Sequence, residues 1–228
     1  MSQQNRASSI RRMFSSISGQ YDLLNTLLSV NRDKAWREFT ATCAKPGSGI
    51  GLDVATGTGK LAQELLKASV DNGSVIGIDF CEDMVKIAKQ NVDGIGFILG
   101  DAEALPFPDN TFDCATIGFS MRNVNNIGKT FNEMARVVRS DGKVVCLEFS
   151  PPPRGLRGKA YTLYIKTVLP FLGLIIARNR DAYTYLPKSI MAFHQPEGLK
   201  QIMVSAGLRD VKYHRLSFGI VYVHEGTK

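Results

Sequence analysis

Cysteine is scarce and scattered in this chain of 228 residues: Cys43, Cys81, Cys114 and Cys146, each more than thirty positions from the next. No CxxC pair and no neighbouring histidine stands at metal-ligand spacing, so neither a disulfide framework nor a metal set is expected, and buried free thiols in a reducing compartment are. His194, His214 and His224 lack partners at ligand or triad spacing and are assigned no role; His194 becomes a general base only if the fold turns it inward. Long apolar runs are missing too. The richest stretch, Leu163 to Ala177, is broken by Lys166 and Pro170 and falls short of the ~20 residues that span hydrocarbon. The opening segment MSQQNRASSIRRMF is polar and basic without a signal-peptide core, so a cytoplasmic location is expected. There is no internal repeat or low-complexity tract, and 44% hydrophobic with 21% charged residues excludes disordered and collagen-like chains.

Positive charge is in excess, at +7, and unevenly placed: residues 41–150 are net acidic, while residues 1–40 and 151–228 are net basic. Such asymmetry reads either as an ordinary solvated surface or as attraction to an anionic partner, lipid or nucleic acid.

The spacing of Ile10, Met13, Phe14, Ile17, Leu24, Leu27 and Leu28 predicts an amphipathic helix broken at Gly19, followed by a short helix carrying Trp36. From Pro46 the pattern becomes strand, turn, helix, repeated: strands over Ile50–Ala55, Ser74–Asp79, Ile95–Leu99, Phe112–Phe119 and Lys143–Phe149, with helices over Lys60–Ala68, around Met84–Ala88, and over Ile127–Arg139. That alternation predicts a parallel sheet covered on both faces. Ser150–Pro153 breaks it, residues 156–193 read as an aromatic-rich helical insertion, and Pro196 opens a helix that Gly207 ends before a hairpin of Leu208–Arg215 and Phe218–His224. The organisation is a single domain: an N-terminal cap over 1–45, a core over 46–150, an insertion over 151–195, and a closing helix and hairpin over 196–228.

The strongest chemical signal is Asp53-Val-Ala-Thr-Gly57-Thr58-Gly59 at the end of the first strand, with Asp79 ending the second. Glycines let the backbone approach a ligand, and a carboxylate at the next strand tip accepts ribose hydroxyls. Gly57-Thr-Gly59-Lys-Leu-Ala62 also satisfies the G-x-G-x-x-A dinucleotide fingerprint, so a nicotinamide oxidoreductase is a rival. Against it, Asp53 precedes the glycines, where an acid suits a cationic ligand group better than a pyrophosphate. Asp101-Ala102-Glu103 follows the third strand, where an acceptor can take the amine of adenine. A sulfonium amino-acid nucleoside accounts for both.

These residues resemble a class I S-adenosylmethionine-dependent methyltransferase, and more narrowly the ubiquinone/menaquinone-biosynthesis C-methyltransferase family. The match runs through Tyr21-Asp22 with Asn25, Ser29 and Trp36, through Leu52 to Gly59, through Asp101-Ala-Glu103 and Leu105 to Asp113. Arg122-Asn123-Val124, Leu147-Glu-Phe-Ser150, Tyr183-Thr-Tyr-Leu186 with Ser189, Ile190 and Phe193, and Ala206-Gly207 follow in order. Departures are Asp33 before Trp36 where the family commonly has His, Lys60 in place of an acid, Gly118 in place of Ser, and Ser120-Met121 before Arg-Asn.

The resemblance implies an α/β Rossmann-like fold, its seven-stranded, mostly parallel sheet ending in a reversed strand, S-adenosylmethionine as cofactor, and a polyprenylated quinol methylated on ring carbon. Carried over residue by residue, Asp53, Gly57, Thr58, Gly59, Asp79, Asp101 and Ala102 bind the cofactor. Arg122 supplies positive charge to a developing phenolate, Asn123 orients a quinol oxygen or a base water, and Tyr21 and Trp36 are candidates for the substrate pocket. Residues 156–180, apolar between basic ends, read equally as a buried helix or as an interfacial lid on anionic membrane at the inner face. Homodimerisation or partners in a quinone-synthesis assembly are compatible with the resemblance. Nucleic acid is not an expected partner, because amino-methylating nucleic-acid enzymes carry [DN]-P-P-[YF] where this chain has Phe119-Ser-Met-Arg-Asn123. Another small aromatic or isoprenoid acceptor, and a non-catalytic ligand-binding subunit, remain as alternatives.

Overall fold

Ile50–Val54 (β1) is apolar on both faces except for Asp53, the pattern of a strand covered from both sides. A computed structural model describes residues 8, 10–13, 15, 16, 26, 29, 31–153, 155–163, 167 and 180–228. After the helix Asp33–Ala44 (α1), β1 leads to Lys60–Ala68 (α2), Ser74–Asp79 (β2), Glu82–Asn91 (α3), Gly96–Leu99 (β3) and Phe112–Gly118 (β4). A 3-10 turn at Met121–Asn123 leads into Ile127–Val137 (α4), then Val138–Phe149 (β5), Leu156–Leu163 (α5), Arg180–Met191 (α6), Pro196–Ser205 (α7), Arg209–Leu216 (β6) and Val221–Thr227 (β7).

The sheet order is β3-β2-β1-β4-β5-β7-β6, with β1 to β5 parallel and β7 antiparallel to both neighbours, as expected of a reversed last strand. Order reverses between β1 and β4, which opens a crevice beyond their carboxyl ends. Two apolar layers flank the sheet. Phe112, Phe131, Met134, Leu199 and Met203 lie in one, with α4 and α7; Trp36, Ala41, Leu65, Val85 and Leu147 lie in the other, with α1, α2 and α3. Phe131 is fully buried, so its burial contributes about 1.5–3 kcal/mol.

Differences from the sequence expectation are at boundaries. β5 starts at Val138, earlier than expected, because Phe112 pairs with Val138 before a register shift brings Cys114 opposite Lys143. The hairpin strands shift because Ser217–Gly219 forms a 3-10 turn between them. The helix from Pro196 and the left-handed Gly207 just after it are found as expected. Residues 8, 10–13, 15 and 16 are helical, but most of the broken N-terminal helix, Tyr21 included, lies outside the described residues, as does most of the 156–180 segment. Among the described residues no helix is long and apolar enough to cross a membrane.

Candidate active site

A cleft of about 1070 Å³, measured out to open solvent, lies where the sheet order reverses. Asp53, Gly57, Thr58, Asp79, Asp101, Ala102 and Asn123 line it; Gly59, Arg122 and Trp36 do not.

Asp53 is 1% exposed at the heart of the sheet. The Thr56 hydroxyl donates to one carboxylate oxygen at 2.6 Å and the Thr116 hydroxyl to the other at 2.7 Å. Burial pushes its carboxyl up to about 6 despite those hydroxyls. Its hydrogen-bond donors are neutral, and the Arg37 charge, already paired with Asp33, favours its ionised form only weakly against burial. A cation that enters the cleft therefore meets a carboxylate without an ion-pair partner of its own among the described residues.

Asp79 accepts the Gly57 amide on one oxygen and the Cys81 amide on the other, both at 2.8 Å. A carboxylate oxygen has a second acceptor position, so the pair retains capacity for a diol. Burial raises its pKa against the pull of these amides. The two loop glycines do different work. Gly57 has φ +56° and a β-carbon there would meet nothing within 4 Å, so its backbone faces open space. Gly59 has φ +81°, caps α2, and a β-carbon there would lie 2.9 Å from the Phe97 ring. Its lack of a side chain lets α2 close on Phe97, and it does not itself line the cleft.

Asp101 donates nothing and accepts the Glu103 amide at 2.8 Å, leaving its exposed carboxylate at the cleft rim beside Ala102. Glu103 accepts the amides of Asn125 (2.6 Å) and Asn126 (3.0 Å) on one carboxylate oxygen, which ties the β3 loop to the segment after β4. Arg136 on α4 fixes the rest of that loop by donating to the carbonyls of Leu105 and Phe107.

Arg122, expected to supply positive charge to a developing phenolate, is held in a buried ion pair. Its guanidinium is 7% exposed and pairs at 2.6 Å with Glu148, which is 2% exposed; it also donates to the Phe119 carbonyl and lies 5.5 Å from the Phe149 ring centroid. The ion pair forms because β4 and β5 are neighbours, and it cancels the charge that was expected to act on a phenolate. Asn123 next to it does face the cleft. Its Oδ1 accepts from the Tyr185 hydroxyl of α6 at 2.9 Å, and its Nδ2 is buried with no hydrogen-bond partner among the described residues.

Trp36 also departs from expectation. It is buried behind the cleft, edge-on to Phe119 and Phe149 at centroid distances of 6.1 and 6.2 Å, and its indole N–H donates to Ser217. Phe119, in front of it, and Phe80 are the aromatics that line the cleft among the described residues. The next residue on α1, Arg37, was missed: it lines the cleft, pairs with Asp33, and lies 5.8 Å from the Phe119 ring centroid. Asp33, the departure noted before Trp36, thus anchors a buried guanidinium, and Ser29 donates to it at 2.9 Å. His194 stacks edge-on against Phe193 and does not line the cleft.

A reversed last strand, acids at the tips of three adjacent parallel strands, and a glycine turn open to the switch-point crevice are together the marks of an S-adenosylmethionine-dependent, Rossmann-like methyltransferase. The fold is shared with a Thermotoga maritima structure described as a SAM-dependent methyltransferase, possible histamine N-methyltransferase, at TM-score 0.70 and 21% identity over 95% of this chain and 98% of that one. The cyclase SpnF, a [4+2]-cyclase, shares it at TM-score 0.67 and 16% identity over 97% and 96%. The ubiE/COQ5 methyltransferase family matches residues 1–228, and this chain belongs to it. Among its relatives, the demethylmenaquinone methyltransferase of Thermus thermophilus is 45% identical over 95% of this chain and 100% of the relative. The ubiquinone/menaquinone biosynthesis C-methyltransferase UbiE of Escherichia coli is 36% identical over 100% and 94%. The residues present fit the cofactor: open space beside Gly57, acceptor capacity on Asp79, and a buried acid at Asp53 held by neutral donors.

Proposed function

We propose that this methyltransferase transfers a methyl group from S-adenosylmethionine to a ring carbon of a polyprenylated quinol in quinone biosynthesis, with demethylmenaquinol ahead of a ubiquinol precursor. Family membership and the names carried by its relatives support the acceptor class, and the 45% identical relative named for demethylmenaquinone supports that order. The observation that carries the chemistry is the Asn123 side chain, which lines the cleft and whose buried Nδ2 has no hydrogen-bond partner among the described residues.

S-adenosylmethionine, when bound, supplies an electrophilic sulfonium methyl. In this reading Asp79 holds the ribose, Asp101 and Ala102 the adenine, and Gly57, Thr58 and the turn capped by Gly59 the methionine and ribose, with Asp53 turned to the positive end. Arg37, although paired with Asp33, lines the cleft and offers its remaining N–H donors to the methionine carboxylate. A phenolic hydroxyl titrates near 10, so ring-carbon attack requires stabilisation of the oxygen as it loses its proton. Asn123 Nδ2 donates to that oxygen, and Tyr185, by holding Oδ1, keeps the amide turned that way. Arg122 acts as a positioning residue: with Glu148 it fixes the turn that carries Asn123. Trp36 supports Phe119 from behind, and Tyr21 remains a candidate for the acceptor pocket. The insertion over 151–195 serves as a lid, and the net basic 151–228 segment draws the enzyme from the cytoplasm to the anionic inner membrane face, where a prenylated substrate resides.

Two substitutions test the assignments. Tyr185→Phe should lower kcat about tenfold, the worth of one hydrogen bond of roughly 1.4 kcal/mol, and leave the calorimetric Kd of S-adenosylmethionine unchanged. An unchanged kcat removes the Asn123 assignment. Gly57→Ala and Gly59→Ala should separate binding from folding. At Gly57 the left-handed backbone costs about 1–2 kcal/mol and the new methyl enters the cleft, so cofactor affinity falls tenfold or more. At Gly59 strain and overpacking on Phe97 cost roughly 2–5 kcal/mol, which a thermal melt reads as the larger loss.

A further inference from the structure

Cys43 at the end of α1, His214 on β6 and Glu225 on β7 are remote in sequence but converge at the outer edge of the sheet, away from the cleft. One ligand atom from each, thiol sulfur, imidazole nitrogen and carboxylate oxygen, lies within 4.8 Å of the others. His214 Nε2 is 2.6 Å from Glu225 Oε1, Cys43 is 8% and Glu225 5% exposed, and the His214 ring is held edge-on by Phe39 at 5.1 Å. None of the three lines the cleft.

We propose that Cys43, His214 and Glu225 form a binding site for a divalent transition-metal ion, zinc by ligand type. Thiolate, imidazole and one carboxylate are the donors that zinc selects, whereas calcium and magnesium take oxygen alone. Bonds of about 2.0–2.3 Å in a tetrahedron set ligand-to-ligand edges of roughly 3.3–3.8 Å. The three ligand atoms, all within 4.8 Å of one another, reach this by side-chain adjustment, with His214 and Glu225 parting from 2.6 Å. A fourth position remains for water on the half-exposed side of His214. Metal binding expels the Cys43 thiol proton. Burial and the neighbouring Glu225 charge push that thiol up to about 11, so without metal it stays protonated and inert. Lys212, 3.5 Å from Glu225, is the competing cation; its side chain is 64% exposed and can swing into solvent. Lys45 and Lys143 also act on Cys43 and favour its thiolate. The ion would clip the end of α1, the helix carrying Arg37, to the β6–β7 edge, a structural rather than chemical role.

The test is titration of the untagged, chelator-treated chain with cobalt(II). The expected result is tetrahedral d–d absorption with a near-ultraviolet thiolate-to-cobalt band that saturates near one equivalent and is displaced by zinc(II). Zinc at about a hundred times its Kd should raise Tm by about 5–10 °C. Cys43→Ser should abolish the charge-transfer band, and His214→Ala should weaken cobalt binding at least tenfold. Methyl transfer by the stripped enzyme should be unchanged. No thiolate band in the wild-type chain, or a band that survives Cys43→Ser, overturns the proposal; the wild-type titration decides this even if a variant folds poorly.

Discussion

Replacing Arg122 by Met is expected to reduce turnover by about 10²-fold or more while S-adenosylmethionine still binds within a few-fold of wild type. The guanidinium does not touch the cofactor-binding acids, but it ties the Phe119 carbonyl and Glu148 to the turn that presents Asn123. A displacement of about 1 Å in a group aligned with the reacting atoms is enough for a loss of that size. The same change leaves Glu148, 2% exposed, as an unpaired buried charge, at a cost of about 3–5 kcal/mol in stability. The double variant Arg122→Met/Glu148→Gln removes that charge. It should regain most of the lost Tm without regaining kcat, because the tether on the turn is still missing. Recovery of turnover together with Tm would mean that Arg122 matters only to folding.

Asp53→Asn is expected to do the opposite to stability. The Asp53 pKa is about 6 in the folded chain against about 3.8 unfolded, so folding favours the protonated form. Its contribution to stability is therefore full below about pH 4 and is lost as pH rises through 6. At pH 8 the neutral variant should be more stable than wild type by about 1–2 kcal/mol, less than the full shift because its amide accepts from only one of the two threonine hydroxyls, with the gain shrinking towards acid pH, while its affinity for S-adenosylmethionine falls about a hundredfold. In the wild type, where the ionised acid faces a cationic ligand, Kd should rise up to about tenfold per pH unit below pH 6, with one proton taken up per unbound site. Thermal melts and calorimetry between pH 5 and pH 8 measure both. A variant less stable than wild type at pH 8, or one that binds normally, contradicts this assignment.

The strand-tip acids were readable because local signals mark them: each follows a short apolar run, and Asp53 is followed by a turn that needs glycine. The parallel sheet followed from the alternation, and the reversed last strand from the family resemblance; the strand order is read only from the structure. What the chain order hides is pairing. Glu148 stands in the Leu-Glu-Phe-Ser segment and Arg122 in the Arg-Asn segment, and only the adjacency of β4 and β5 brings them together. Tyr185, from the Tyr-x-Tyr-Leu segment, meets Asn123 only when α6 docks on the turn. So the three most specific segments of the resemblance converge on one wall of the cleft, and an expected free cation becomes half of a buried pair. Arg37 is not marked by the sequence because which face of α1 meets the cleft depends on docking, and Trp36, one residue away, turns the other way. Gly59 could not be told from Gly57 by spacing; the Phe97 ring beneath it decides.

The central claim is carbon methylation of a quinol ring by this cleft. The measurement is incubation of the purified chain with S-adenosylmethionine bearing a deuterated methyl group and reduced demethylmenaquinone, followed by mass spectrometry and NMR of the product. A trideuteromethyl group on ring carbon, absent with the quinone left oxidised, is the predicted result. Label on oxygen, or tight cofactor binding with no label in demethylmenaquinol or in a ring-unmethylated ubiquinol analogue, would contradict it.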